Sequence, residues 1–125
     1  MLSAYPIHPI LLQKDMEAAR DFYNVKLGLP ILLDRGEAVE FTCGDGSRLV
    51  ISHSTVGTAD TQTQVGWRVA DIDAAVADLR SRGLKVEDYD LPKIKTVDGI
   101  ADLGFARVAW IIDPGGNALA IMQYR

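Results

Sequence analysis

One helix-bearing pattern is written twice in this chain. "KDMEAARDFYNVKLGLPI" (residues 14–31) and "ADIDAAVADLRSRGLKVE" (residues 70–87) align at an offset of 56. Asp15 then meets Asp71, Met16 meets Ile72, Ala18 meets Ala74, Ala19 meets Ala75 and Tyr23 meets Leu79. A repeat of this kind requires each copy to build the same unit. Each Asp is a helix N-cap, its carboxylate accepting from the orphan N–H groups of the first turn. An acid follows at Glu17 or Asp73, where the helix dipole favours it. Apolar residues then recur at helical spacing: Met16, Ala19 and Tyr23 in one copy, Ile72, Val76 and Leu79 in the other. Gly28 and Gly83 sit where a left-handed C-terminal residue ends a helix. The spacing predicts helices over roughly 15–27 and 71–83.

Around each helix the strand signals repeat as well. "IHPILLQ" and "QVGWRVA" precede the two helices. "PILLD", "EAVEFTC" and "SRLVISH" follow the first, the last two joined by a Gly44-Asp45-Gly46 hairpin turn. "LKVEDYD", "ARVAWIID" and "NALAIMQ" follow the second. Asp113-Pro114-Gly115-Gly116-Asn117 is a tight turn, with Pro fixing φ and Gly and Asn accepting positive φ. The order β-α-β-β-β therefore occurs twice, an α+β arrangement. Polar, small-residue "HSTVGTADTQT" (53–63) reads as the linker between copies, and residues 91–105 as a long loop of the kind that carries function or motion.

A length of 125 residues suits one domain, with a first module over about 1–55 and a second over about 60–125. Hydrophobic residues at 48% and charged residues at 24% fit a globular protein. The net charge of −4, without a basic cluster, argues against a nucleic-acid partner. No apolar run approaches the roughly 18 residues of a membrane span, and no signal-peptide pattern opens the chain. Cys43 is the single cysteine, so no internal disulfide forms. A cytoplasmic location is the expectation.

The stretches "KDMEAARDFYNVKLGLPI", "GDGSRLVISHS", "VADIDAAVADLRSRGLKV" and "AWIIDPGGNALAIM", in this order, resemble the vicinal oxygen chelate superfamily of glyoxalase I, bleomycin-resistance proteins and extradiol dioxygenases. "DLPKIKTVDGIADLG…AWIIDPGGN" also resembles a bacterial glyoxalase-like group. The resemblance implies two βαβββ modules forming a curved, barrel-like, eight-stranded mixed sheet around a central cavity. It implies, in catalytic members, a divalent metal held by two inward side chains from each module, on its first and fourth strands. It also implies a homodimer, since members of this length commonly pair modules across a twofold.

Carried onto this sequence, the first-strand positions, seven residues before each capping Asp, are His8 and Gln64. The fourth-strand positions are Val50 and Ala120. Neither aliphatic residue can coordinate, and one neutral His with one neutral Gln offers no anionic ligand. No metal and no cofactor is therefore expected, unless Glu40, His53 or a partner subunit completes a site. His8 on a strand reads either as a hydrogen-bonded wall residue or as a ligand, and Gln64 as a solvated strand start. His53 reads as exposed, and Cys43 as a small buried hydrophobe rather than a nucleophile. Strand alternation places Gln64, Gly66 and Arg68 on one face and Val65, Trp67 and Val69 on the other. Arg68 then needs a partner, either Glu40 or an anionic ligand. Trp110 serves as core or as a stacking surface for a flat ligand.

Two functions follow. The first is a metal-independent protein that binds a small organic molecule through His8, Glu40, Val50, Gln64, Arg68, Trp110 and Ala120. The second is an enzyme: a lyase, isomerase or dioxygenase with a displaced metal site, or with His8 and Glu40 as acid–base groups.

Overall fold

The computed structural model describes residues 1–125. The chain forms two compact units, Met1–Ala59 and Asp60–Arg125.

The first unit contains β1 (Ile10–Gln13), α1 (Met16–Arg20), β2 (Ile31–Asp34), β3 (Ala38–Thr42) and β4 (Arg48–His53). Its sheet has the order β1-β4-β3-β2, with β1 parallel to β4 and the remaining neighbours antiparallel. Asp15 caps α1, its Oδ1 accepting from Ala18 N–H at 3.0 Å. Beyond Arg20 the helix continues as a wider π turn over Asp21–Lys26, and Gly28 at φ 72° then takes the left-handed conformation that lets the chain leave. One sheet face, bearing Val39, Phe41, Leu49 and Ile51, is buried. The Phe41 ring packs beside that of Tyr23 at 5.7 Å, with Phe22 edge-on to Tyr23. Burying each such aromatic contributes about 1.5–3 kcal/mol relative to exposure. Arg20 clamps the end of α1 to β2 through a two-pronged pair with Asp34, both contacts at 3.0 Å.

The second unit contains β5 (Thr63–Arg68), α2 (Ile72–Ser81), β6 (Thr96–Val97), β7 (Ile100–Asp102), β8 (Ala106–Ile112) and β9 (Ala118–Tyr124). Its sheet order, β5-β9-β8-β7-β6, repeats the first unit's plan, with β5 parallel to β9. Asp71 caps α2 through Ala74 N–H at 3.1 Å. At the other end Leu84 N–H reaches back to Leu79 O at 3.1 Å across Gly83, the bond that closes a helix through a left-handed glycine. Ile72, Val76 and Leu79 bury the helix face that their spacing predicts.

Three expectations are corrected. The strands do not close into one eight-stranded barrel-like sheet: the backbone ladders make a four-stranded and a five-stranded mixed sheet. The "LKVEDYD" segment is not a strand. Glu87 N–H donates to Trp110 O at 2.8 Å, after which the chain turns to Thr96 and makes only an isolated bridge between Asp90 and Lys95. The place beside β8 goes instead to β7, which lies inside the stretch read as a loop. The first helix is also shorter in regular α form than its apolar spacing suggests, because its second half is π-wound.

Candidate functional site

In the second unit, the sheet face turned away from α2 builds a pocket. Ala120 of β9 lies opposite Trp110 of β8 and Gly66 of β5. Ala101, Ala106, Val108, Trp110 and Ala120 form an apolar cluster on which Tyr89, Ile94, Leu103 and Met122 pack. The segment after α2 folds over this cluster. It leaves a cleft of about 480 Å³ lined by Thr61, Gln62, Thr63, Tyr89, Leu91, Ile94 and Trp110. Trp110 donates its indole N–H to Thr63 Oγ1 at 2.8 Å, which fixes the ring plane. Tyr89 meets that ring edge-on, centroids 5.4 Å apart at 90°. Burial, reinforced by the Glu87 carboxylate, pushes the Tyr89 phenol above its ordinary pKa, so it remains a neutral donor.

A β-bulge decides what β5 contributes. Thr63 pairs with Ala118 and Val65 with Leu119, so Gln64 is the extra residue. Thr63 therefore faces Trp110, while Gln64 turns its Oε1 to accept Ala118 N–H at 3.0 Å. The alternation that placed Gln64 beside Gly66 and Arg68 misses this bulge, which a single sequence does not display. Arg68 is exposed and stacks its guanidinium over the Tyr124 ring at 5.0 Å.

In the first unit, the face turned away from α1 carries charge. Glu40 pairs across the sheet with Val50. Its carboxylate is not matched to Arg68. It is held by Arg35 and, at 3.4 Å, by Arg48. The Arg35 hydrogen bond, ahead of the Arg48 contact, holds the Glu40 carboxyl below the ordinary glutamate range. His8 lies before β1 and is exposed; with Pro6, Ile7, Gly46 and Arg48 it lines a cleft of about 160 Å³. His53 sits at the end of β4 with Nδ1 3.1 Å from Glu37 Oε2, and Cys43 is half-buried before the hairpin turn.

No three His, Cys, Asp or Glu side chains gather in a way that could hold a metal ion. The four positions that the resemblance assigns to metal ligation do not fit one. Val50 and Ala120 have no donor atom, the Gln64 amide oxygen is committed to the backbone, and His8 has a guanidinium as its charged neighbour. Tyr89, Thr63 and Arg48 were not singled out by sequence. The long loop read over 91–105 supplies Leu91 and Ile94 of the cleft, whereas Tyr89 falls in "LKVEDYD", which reads as a strand.

Residues 6–121 match the sequence profile of the Glyoxalase/Bleomycin resistance protein/Dioxygenase superfamily. The chain belongs to this superfamily. Among solved structures, it is similar to a bleomycin-binding protein complexed with bleomycin. That likeness has TM-score 0.72 and 19% identity, over 97% of this chain and 99% of that one. It is also similar to a glyoxalase/bleomycin resistance protein/dioxygenase from Alicyclobacillus acidocaldarius, with TM-score 0.70 and 20% identity over 96% and 91% of the two chains. A lactoylglutathione lyase from Agrobacterium tumefaciens gives TM-score 0.67 and 19% identity over 96% and 93%. No curated protein matches the chain in sequence. Identities this low establish the superfamily fold, which hosts both binding proteins and enzymes.

Proposed function

We propose that this superfamily member binds a small organic molecule with a flat apolar portion in the Trp110–Tyr89 cleft, without the metal centre of its catalytic relatives. The observation that carries the proposal is the cleft itself. At about 480 Å³ it falls inside the roughly 300–1,000 Å³ range of small-molecule sites. It presents an oriented indole, a neutral phenol, two aliphatic side chains and three polar residues. Aromatic walls at fixed angles with few polar contacts suit capture better than bond chemistry, which requires an acid, base or nucleophile against the substrate. The donor-free Val50 and Ala120 support the metal-independent part. The neighbour complexed with bleomycin makes bleomycin the first probe. The proposal includes a cytoplasmic homodimer. Exposed Ile31, Leu32 and Leu33 on the edge strand β2 support association, because an apolar edge invites pairing.

The test is a fluorescence titration with bleomycin and a panel of planar aromatic compounds. Trp67 lies on the opposite face of β5 from Gly66 and supplies an internal control. Saturable quenching that disappears in Trp110→Phe, with elemental analysis of untagged protein finding well under one divalent metal per chain, is expected. A full metal complement lost in His8→Ala would overturn the proposal in favour of a metal-dependent lyase, isomerase or dioxygenase.

A further inference from the structure

The Glu40 cluster of the first unit's sheet is not used by the Trp110 cleft, and within that cluster the charges do not cancel. Glu40 supplies one negative charge, while Arg35 and Arg48 supply two positive ones. This surplus stands out in a chain of net charge −4. We propose that His8 and Arg48 form a subsite for a single oxyanion headgroup, a carboxylate or a phosphate-type group on a small molecule.

The backbone brings the two residues together. Ile10 pairs with Val50 in parallel register, and Val50 N–H donates to Pro9 O at 3.0 Å. The chain ahead of β1 thus keeps running beside β4, and two residues back along both segments His8 reaches Arg48. Both then lie on the Val50 face, since side chains two apart share a face. The hairpin closes the cleft from one side. Gly46 adopts φ 72°, and a Cβ built there would meet no heavy atom within 4 Å, so the turn leaves open space on its side of the cleft.

The donors suit an oxyanion. Arg48 touches Glu40 through Nη1 alone, at 3.4 Å, and its other nitrogens make no hydrogen bond to the protein. A guanidinium presents parallel N–H groups that match carboxylate or phosphate oxygens, and an imidazole offers an N–H donor in either protonation state. Arg35 and Arg48 are each about half exposed, so an anion can reach them from solvent. A cation in this cleft would face the Arg48 guanidinium of its lining and be repelled by it. The volume of about 160 Å³ is below that of whole-ligand pockets and fits a headgroup only. None of these residues lines the Trp110 cleft, so either site can fail without the other.

The experiment is an NMR titration of the labelled full chain, at fixed pH and ionic strength, with sodium phosphate in one arm and sodium acetate in the other. The His8 ring and Arg48 Nε–H signals should shift saturably in at least one arm. The tighter arm identifies the headgroup. Arg48→Gln should weaken binding by about tenfold or more, the worth of a charged hydrogen bond. His8→Gln should weaken it severalfold. Glu40→Gln removes the competing carboxylate and should tighten binding, a change that a variant damaged in folding would not produce. Shifts that rise linearly with both salts and match sodium chloride overturn the proposal, as does a Glu40→Gln protein that keeps its fold and binds no tighter.

Discussion

Asp113→Ala is expected to be the most damaging single change outside the large apolar residues. The Asp113 carboxylate is 4% exposed. Its Oδ1 accepts from Gly115 N–H at 2.9 Å and Asn117 N–H at 2.8 Å, and its Oδ2 accepts from Asn117 Nδ2 at 2.9 Å. Asn117 is fully buried, so truncating Asp113 takes this acceptor from two donors that water does not reach. Gly115 is exposed and can rehydrate. At about 1–3 kcal/mol for each buried unsatisfied donor, the loss centres on roughly 4 kcal/mol. For a chain of this length that corresponds to a fall in Tm on the order of 10–15 °C. Asp113→Asn keeps the volume and one acceptor, and should lose about half as much. Calorimetry and urea unfolding measure both. The turn also sets the register in which Ile112 meets Ala118 and Trp110 meets Ala120, so Trp110 emission should shift red in the Ala variant. A Tm within about 3 °C of the parent, with Trp110 emission unchanged, would refute the claim that this carboxylate organises the β8–β9 turn.

Thr63→Val should cost about 1 kcal/mol and release the Trp110 indole to new orientations, read as lower fluorescence anisotropy and weaker binding of planar probes. Unchanged anisotropy would show that packing alone orients the ring. Glu40, Asp34 and Asp73 have carboxyl pKa values depressed chiefly by hydrogen bonds from Arg35, Arg20 and Arg107 respectively. A carboxyl whose folded pKa lies below its unfolded value stabilises the fold above the unfolded pKa, and that contribution is lost as pH falls through the folded pKa. Urea midpoints should therefore be flat near neutrality and drop below about pH 4. Replacing Glu40, Asp34 and Asp73 together by their amides should flatten that drop, and an unaltered acid limb in the triple variant would contradict the assignment.

Much of the fold is legible because its signals are local. Asp15 and Asp71 cap their helices where the sequence places them, since capping needs only an oxygen three residues before an orphan N–H. Strands β1, β2, β3, β4 and β8 fall within the alternating or apolar runs that announce them, and β5 and β9 overrun theirs by one residue, Thr63 and Tyr124. What the sequence hides is non-local or hangs on one extra residue. "LKVEDYD" alternates like a strand, but the edge it would occupy beside β8 is taken by Ile100–Asp102, a competition no local pattern encodes. The Gln64 bulge has no distinct residue signature, and it exchanges Thr63 for Gln64 on the pocket face. Glu40 and Arg68 look complementary as isolated charges. Once the hairpin is built, Arg48 on the adjacent strand and Arg35 at the preceding turn hold Glu40, and Arg68 lies over the Tyr124 ring.

The two positions where catalytic relatives place fourth-strand ligands oppose a divalent cation for different reasons. In the first unit the obstacle is electrostatic. Val50 pairs with Glu40, whose carboxylate is saturated by two guanidiniums, so an ion arriving there meets net positive charge. In the second unit the obstacle is packing. Ala120 is 1% exposed, and a Cβ added at neighbouring Gly66 would lie 3.5 Å from its own Cβ and 3.2 Å from Met122 Sδ. A carboxylate side chain at position 120 would have to displace the Trp110 cluster or lie buried without a partner, at a cost of several kcal/mol. Putting an acid back at either position would therefore not suffice alone. The first unit would also need its arginines removed, and the second would need its apolar cluster rebuilt. The surroundings of both positions are consistent with their aliphatic residues: paired charge at Val50 and close apolar packing at Ala120.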